Sequence, residues 1–276
     1  MGYTLFTANR NYSSWSLRPW LLMKALDIPF EDRLVPFAGP DNSEEFRSFA
    51  PNGKVPCLHD GAVIVWDSLA IVEYLAERHA GVWPADRHAR AWARCAAAEM
   101  HSGFSPLRNI CPMSVGVRAE LIAVPPSLQN DIDRIAELFA EGLDRVGGPW
   151  LAGESFTAVD AFFAPVAYRV RSFDLKIGAK GQAWVERVLA HPAMLDWEAQ
   201  ALAETFLGDT IFSNIVALGS AWQRGLVPVG LQALLRAAPA APQAQEESLE
   251  ALLARGVAHL TGYQSPAYAQ RYAGDW

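Results

Sequence analysis

Asn11 to Leu26 reads NYSSWSLRPWLLMKAL, three serines directly ahead of an apolar helix that carries an arginine in its first turn. A helix N-terminus leaves backbone N–H groups without internal partners and carries a partial positive charge, so anions are stabilised there. Ser13, Ser14 and Ser16 can each cap such a helix, and a hydroxyl facing its positive end can also donate to an anionic ligand atom. The stretch alone supports both a plain N-cap and an anion site. With the helix beginning at about Leu17, Pro19 falls in the first turn, where its missing N–H would be unpaired anyway.

Working outward from this stretch, Tyr3 to Thr7 upstream is a short β-branched and aromatic run that reads as a strand, and Phe30 to Val35 downstream reads as a second. Ser43 to Phe49 is a short helical candidate, and Asn52-Gly53 is a turn signal. Val55 to Leu58 and Ala62 to Val65 form two brief apolar strands joined through His59-Asp60-Gly61, where Asp-Gly suits a tight hairpin. Pro56 cannot donate to a ladder and so belongs at an edge or in a special turn. Asp67-Ser68 then opens a helix with Leu69, Val72, Leu75 and Ala76 on one face. The order is β-α-β-α-β-β-α in residues 1–80.

Beyond the linker Gly81 to Pro84 the pattern is helical only, through 85–205. Helices are expected over Asp86 to Ser102, Leu128 to Val146, Ala161 to Val170, Gln182 to Ala190 and Pro192 to Glu204. Thr157-Ala-Val-Asp160 has the form of a capping box, with Asp in place of the usual Glu or Gln. Residues 206–276 form a third region, a helical extension interrupted by the Ala/Pro-rich linker 237–247.

Composition excludes several classes. Charged residues are 19% and apolar ones 51% of the 276, a globular balance. The formal net charge is −7 and no run of Lys or Arg supplies the phosphate-neutralising stripe that nucleic acid requires, so no nucleic-acid partner is expected. No run of about 18 apolar residues predicts a membrane span, and Met1 leads straight into the first strand, from which a cytoplasmic protein is expected. Cys57, Cys95 and Cys111 are isolated, with neither CxxC spacing nor a neighbouring His cluster, so neither a metal site nor a disulfide framework is expected.

The order of elements, the serine loop, Val55-Pro56, Asp67-Ser68 and the Thr157-x-x-Asp160 box together resemble a cytosolic glutathione transferase over residues 3 to 204. The zeta class is the nearest in pattern, since its serine loop reads Ser-Ser-Cys-Ser where this chain has Ser13-Ser14-Trp15-Ser16; Ser105 to Cys111 is a second zeta-like stretch. The resemblance implies a thioredoxin-like α/β domain that holds glutathione, followed by an all-α domain. By the family pattern Ser13 faces the thiol, with Ser14 second and Ser16 as the cap. Trp15, Ser16, Arg18, Val55, Pro56, Asp67 and Ser68 are the expected glutathione contacts, with a cis bond before Pro56. Glutathione is a substrate here, and no metal is implied.

The first long helix of the all-α domain and the turn after it should line the electrophile pocket, which makes Met100, His101, Phe104, Arg108, Asn109 and Cys111 the candidates. The resemblance also implies a homodimer. A glutathione-dependent isomerase of the maleylacetoacetate type is the alternative activity, against which Trp15 stands in place of the zeta cysteine. A non-catalytic glutathione-binding or docking protein is the alternative class. Both helical pieces of the C-terminal extension resemble the extreme C-terminal end of indolepyruvate ferredoxin oxidoreductases, without those enzymes' cluster-ligating cysteines.

Overall fold

The computed structural model describes residues 2–37 and 42–207. The expected extension from 208 on, with its linker, lies outside the described residues. Strands β1 (Tyr3–Thr7), β2 (Phe30–Leu34), β3 (Cys57–Asp60) and β4 (Val63–Trp66) form one sheet in the order β2-β1-β3-β4. β1 pairs parallel with β2 and antiparallel with β3, and β3 pairs antiparallel with β4. Side chains alternate across a pleated strand, and the two faces bury different clusters. Leu5 and Leu58, register partners, pack under Leu17 and Leu21 of α1 (Ser14–Ala25) and Ile71 and Val72 of α3 (Ser68–Ala76). Phe6 and Cys57, the next pair, face Phe46 and Phe49 at α2 (Ser43–Arg47).

Two local expectations shift. The third strand runs to Asp60, whose partner is Val63, so the hairpin turn is Gly61-Ala62, with Gly61 at φ 60. Helix α1 begins at Ser14, which puts Pro19 in its second turn; the N–H that would bond the Trp15 carbonyl is missing there.

The helical part consists of α4 (Arg87–Ser102), α5 (Ser105–Ile110), α6 (Pro126–Val146), α7 (Ala158–Phe173), α8 (Gly178–Leu189) and α9 (Pro192–Leu207). α7 is buried on nearly every side and packs against α1, α4 and α8, so it joins the two parts of the fold. Its start is fixed by the capping box read from the sequence: the Asp160 carboxylate accepts from the Thr157 N–H (3.0 Å), the Leu151 N–H (2.9 Å) and Trp184 Nε1 (2.9 Å). Burial nevertheless pushes the Asp160 carboxyl up to about 6. This is a thioredoxin-like mixed sheet domain followed by a helical domain.

Candidate active site

The serine loop sits where α1 meets α3, α4 and α7. Ser13 directly precedes α1, and its N–H donates to the Asn9 carbonyl at 2.9 Å. None of the three serines caps the helix through its side chain, contrary to the sequence expectation. Ser13 Oγ lies 2.7 Å from Ser16 Oγ, and Ser16 Oγ accepts from the Ala8 N–H at 3.2 Å. A helical side chain leans back toward the N-terminus, which carries Ser16 under Ser13. Ser16 is fully buried, and its hydroxyl is engaged by Ser13 and by the Ala8 N–H, so it steadies Ser13. A hydroxyl rotates to suit its partners, so Ser16 can donate to Ser13 while Ser13 donates onward. Ser14 Oγ makes no hydrogen bond among the described residues.

Arg18 is the electrostatic centre. It is fully buried, with its guanidinium carbon 4.1 Å from the Trp15 ring centroid and 4.8 Å from that of Phe162. Nη1 reaches Ser68 Oγ at 3.5 Å, while Nε and Nη2 have no hydrogen-bond partner among the described residues. Burial, with Arg108 and Arg169 nearby, pushes the guanidinium well below its usual range; Asp67 opposes this. A buried guanidinium with two idle nitrogens is costly unless an anion meets it.

Asp67 and Ser68 stand at the start of α3, as read from the sequence. Asp67 adopts φ 77, a region that non-glycine residues avoid, and its Oδ1 accepts from the Leu69 N–H at 2.9 Å. Its Oδ2 is 3.4 Å from His101 Nε2 of α4. Desolvation lowers the His101 pKa, Asp67 opposes this, and Arg18 and Arg108 add to the lowering. The Val55-Pro56 bond is cis and precedes β3.

Of the residues expected around an electrophile, two converge on the serine helix. The His101 ring packs edge-on to Trp15 at 5.1 Å, and the Arg108 guanidinium lies 5.0 Å from the same ring. Arg108 also donates to the carbonyls of Met100 and Gly103, which anchors it. Met100 on α4 and Phe104 directly ahead of α5 are buried, whereas Asn109 is exposed. Cys111 is a correction: it is fully buried, its thiol is pushed up to about 12 by burial, and it fills the core instead of lining a pocket. Sequence reading missed Phe162, which faces both Arg18 and His101 from α7. Its only local signal is its place two residues after the capping-box Asp160.

A protein-family model described as the glutathione S-transferase N-terminal domain matches residues 12–78, and one described as the C-terminal domain matches residues 121–192. The chain belongs to the glutathione S-transferase family. Among curated members, maleylacetoacetate isomerase of Rattus norvegicus is 26% identical over 179 residues, covering 63% of this chain and 80% of that one. The zeta-class glutathione S-transferase of Euphorbia esula is 29% identical over 167 residues, covering 58% and 72%. A solved glutathione transferase homolog from Burkholderia, described with bound glutathione, superposes with a TM-score of 0.56 at 23% identity over 73% of this chain and 98% of that one, which shows the shared fold. The two matches span α1 to α3 with β2 to β4, and α6 to α8; β1, α4, α5 and all of α9 but Pro192 lie outside them.

Proposed function

We propose that this glutathione S-transferase binds glutathione across the N-termini of α1 and α3 and activates its thiol for attack on small electrophiles. The observation that carries the reading is Arg18, fully buried with Nε and Nη2 idle, between the serine helix and Ser68. An anionic peptide supplies the missing charge. The α-carboxylate of the γ-glutamyl group takes the N–H groups at the start of α3 with Ser68, and Asp67 accepts from its amine. Val55, ahead of the cis Pro56, offers its backbone to the cysteinyl unit. The free thiol, near pKa 8.5, then lies against Ser13 and Ser14 at the positive end of α1. Donation from these hydroxyls stabilises the thiolate, whose proton passes to solvent; the sulfur lone pair then forms the new C–S bond as the electrophile's leaving group departs with its bonding pair, or as the π pair of an activated C=C shifts toward its electron-withdrawing group and the carbanion takes a proton from solvent.

Trp15, His101 and Arg108 form the wall on which the electrophile is read. The isomerase alternative draws support from the name of the rat relative, while Trp15 in place of the zeta cysteine weighs against it. Glutathione-dependent conjugation and isomerisation, assayed side by side, separate the two. The two-fold homodimer is proposed to form through the exposed Val63, Ile64 and Trp66 of β4 with the flanking faces of α3 and α4.

Calorimetric titration of glutathione tests the site. Wild type should bind, and Ser68→Ala should weaken binding by about tenfold, the loss expected of a charge-assisted hydrogen bond. No heat at millimolar glutathione, or an unchanged Ser68→Ala affinity, overturns the assignment.

A further inference from the structure

We infer that Glu204, near the end of α9, is a positioning residue for the activated thiol and acts on Ser13 through Asn9 and Arg10. The inference rests on the glutathione reading above. The Glu204 carboxylate holds two consecutive residues of the loop that leads to the serines: Oε2 accepts from the Arg10 N–H at 3.0 Å, and Oε1 accepts from Asn9 Nδ2. With its amide nitrogen engaged there, Asn9 turns Oδ1 to the Phe37 N–H at 2.7 Å. The carbonyl of the same Asn9 accepts from the N–H of Ser13 (2.9 Å) and of Tyr12 (3.2 Å). Two hydrogen-bonded steps therefore separate a carboxylate of the last described helix from the backbone of the nucleophile-facing serine.

The neighbouring residues are held the same way. Arg10 lies between the rings of Trp20 and Trp197, 5.4 and 4.9 Å from their centroids, donates through Nε to Gln200 at 2.7 Å, and pairs with Asp32 at 2.5 Å. Trp197 Nε1 donates to the Arg10 carbonyl at 2.9 Å. Asn11 Oδ1 accepts from the Val115 N–H at 2.7 Å. Each of residues 9–11 is thus fixed by a group from the helical domain. A loop that must hold a hydroxyl against a thiolate loses much of its effect when displaced by about 1 Å. Glu204 is the one anion that bridges two loop donors among these contacts, and desolvation raises its carboxyl above the usual range, so the charge is kept in the interior at a cost.

The test uses full-length protein and reads the ultraviolet absorbance of bound glutathione thiolate against pH, with kcat and KM for conjugation. Glu204→Gln keeps the size but sets an amide N–H2 against one of the two donors, and Asn9→Ala removes the middle of the relay. Both should raise the bound-thiol midpoint toward the free value and lower kcat by about tenfold, with KM for the electrophile within about twofold, as expected for loss of transition-state alignment alone. Glu198→Ala, which breaks the 3.0 Å ion pair from the same helix to Arg171, should lower the melting temperature without moving midpoint or kcat. Variants that melt lower yet keep the wild-type midpoint and kcat overturn the inference and leave Glu204 as a strut between domains. Should Glu204→Gln not fold, Asn9→Ala alone decides by the same readouts. A wild-type midpoint at the free value would remove the glutathione reading and this role together, which distinguishes that failure from the first.

Discussion

At the residue scale the site depends on which polar groups are satisfied and which are left idle. Arg18 is idle at two nitrogens, and Ser14 makes no hydrogen bond among the described residues, whereas Ser16 is spent on Ser13 and Ala8. The three cysteines divide in the same way. Burial pushes the Cys57 thiol up to about 11 and Cys111 to about 12, while Cys95 is exposed on α4. Only a thiolate reacts with alkylating reagents, so native protein at pH 7.5 should be labelled at one thiol, Cys95, and unfolded protein at three, read by intact mass. Rapid labelling of Cys111 in the native state would reopen its place in the electrophile pocket.

At the element scale, the features legible in the sequence are those whose partners are close along the chain. The β-α-β order, the helix start at Asp67-Ser68, and Thr157 with Asp160 each rest on spacings of a few residues, and each stands in the structure, with Asp67 as the cap. What was not legible has distant partners. Asn9 and Arg10 bond Glu204, 195 and 194 positions away, and Phe162 reaches Arg18 only because α7 packs on α1. The serines misled as caps because a capping sequence and a hydroxyl pair one turn apart look alike until the backbone is known.

Asp160 couples the start of α7 to pH. Its folded pKa, near 6, is above the unfolded value of about 3.9, so its protonated form is favoured by folding. That contribution is fully present below about pH 4 and is lost as pH rises through about 6, a change of about 3 kcal/mol at most. Asp160→Asn should flatten this part of the stability–pH curve while lowering the melting temperature, because its amide N–H2 cannot accept from the N–H groups of Thr157 and Leu151. Equal pH slopes for variant and wild type in denaturant melts would contradict it.

At the scale of the whole molecule, the helical domain both walls the site and holds its loop. α4 brings His101 to Asp67, α5 brings Arg108 to Trp15, and α9 brings Gln200 and Glu204 to the residues ahead of Ser13. Any truncation meant to spare the site must lie beyond Leu207, since a cut at Glu204 removes a loop contact. The exposed edge at β4 predicts the assembly. Trp66 is 44% exposed and Val63 47%, so Trp66→Glu should shift sedimentation from dimer to a 30 kDa monomer with the fold retained. A wild type that is already monomeric at micromolar concentration would contradict the dimer.

In the proposed site, Ser13 and the start of α1 hold glutathione as a thiolate. The ultraviolet thiolate absorbance of bound glutathione, followed against pH in wild type and in the Ser13→Ala, Ser14→Ala double variant, tests it most directly. The wild-type midpoint should lie about two units below the free value of about 8.5, and the double-variant midpoint close to the free value. An unshifted wild-type midpoint, or a lowered one that survives loss of both hydroxyls, would contradict it.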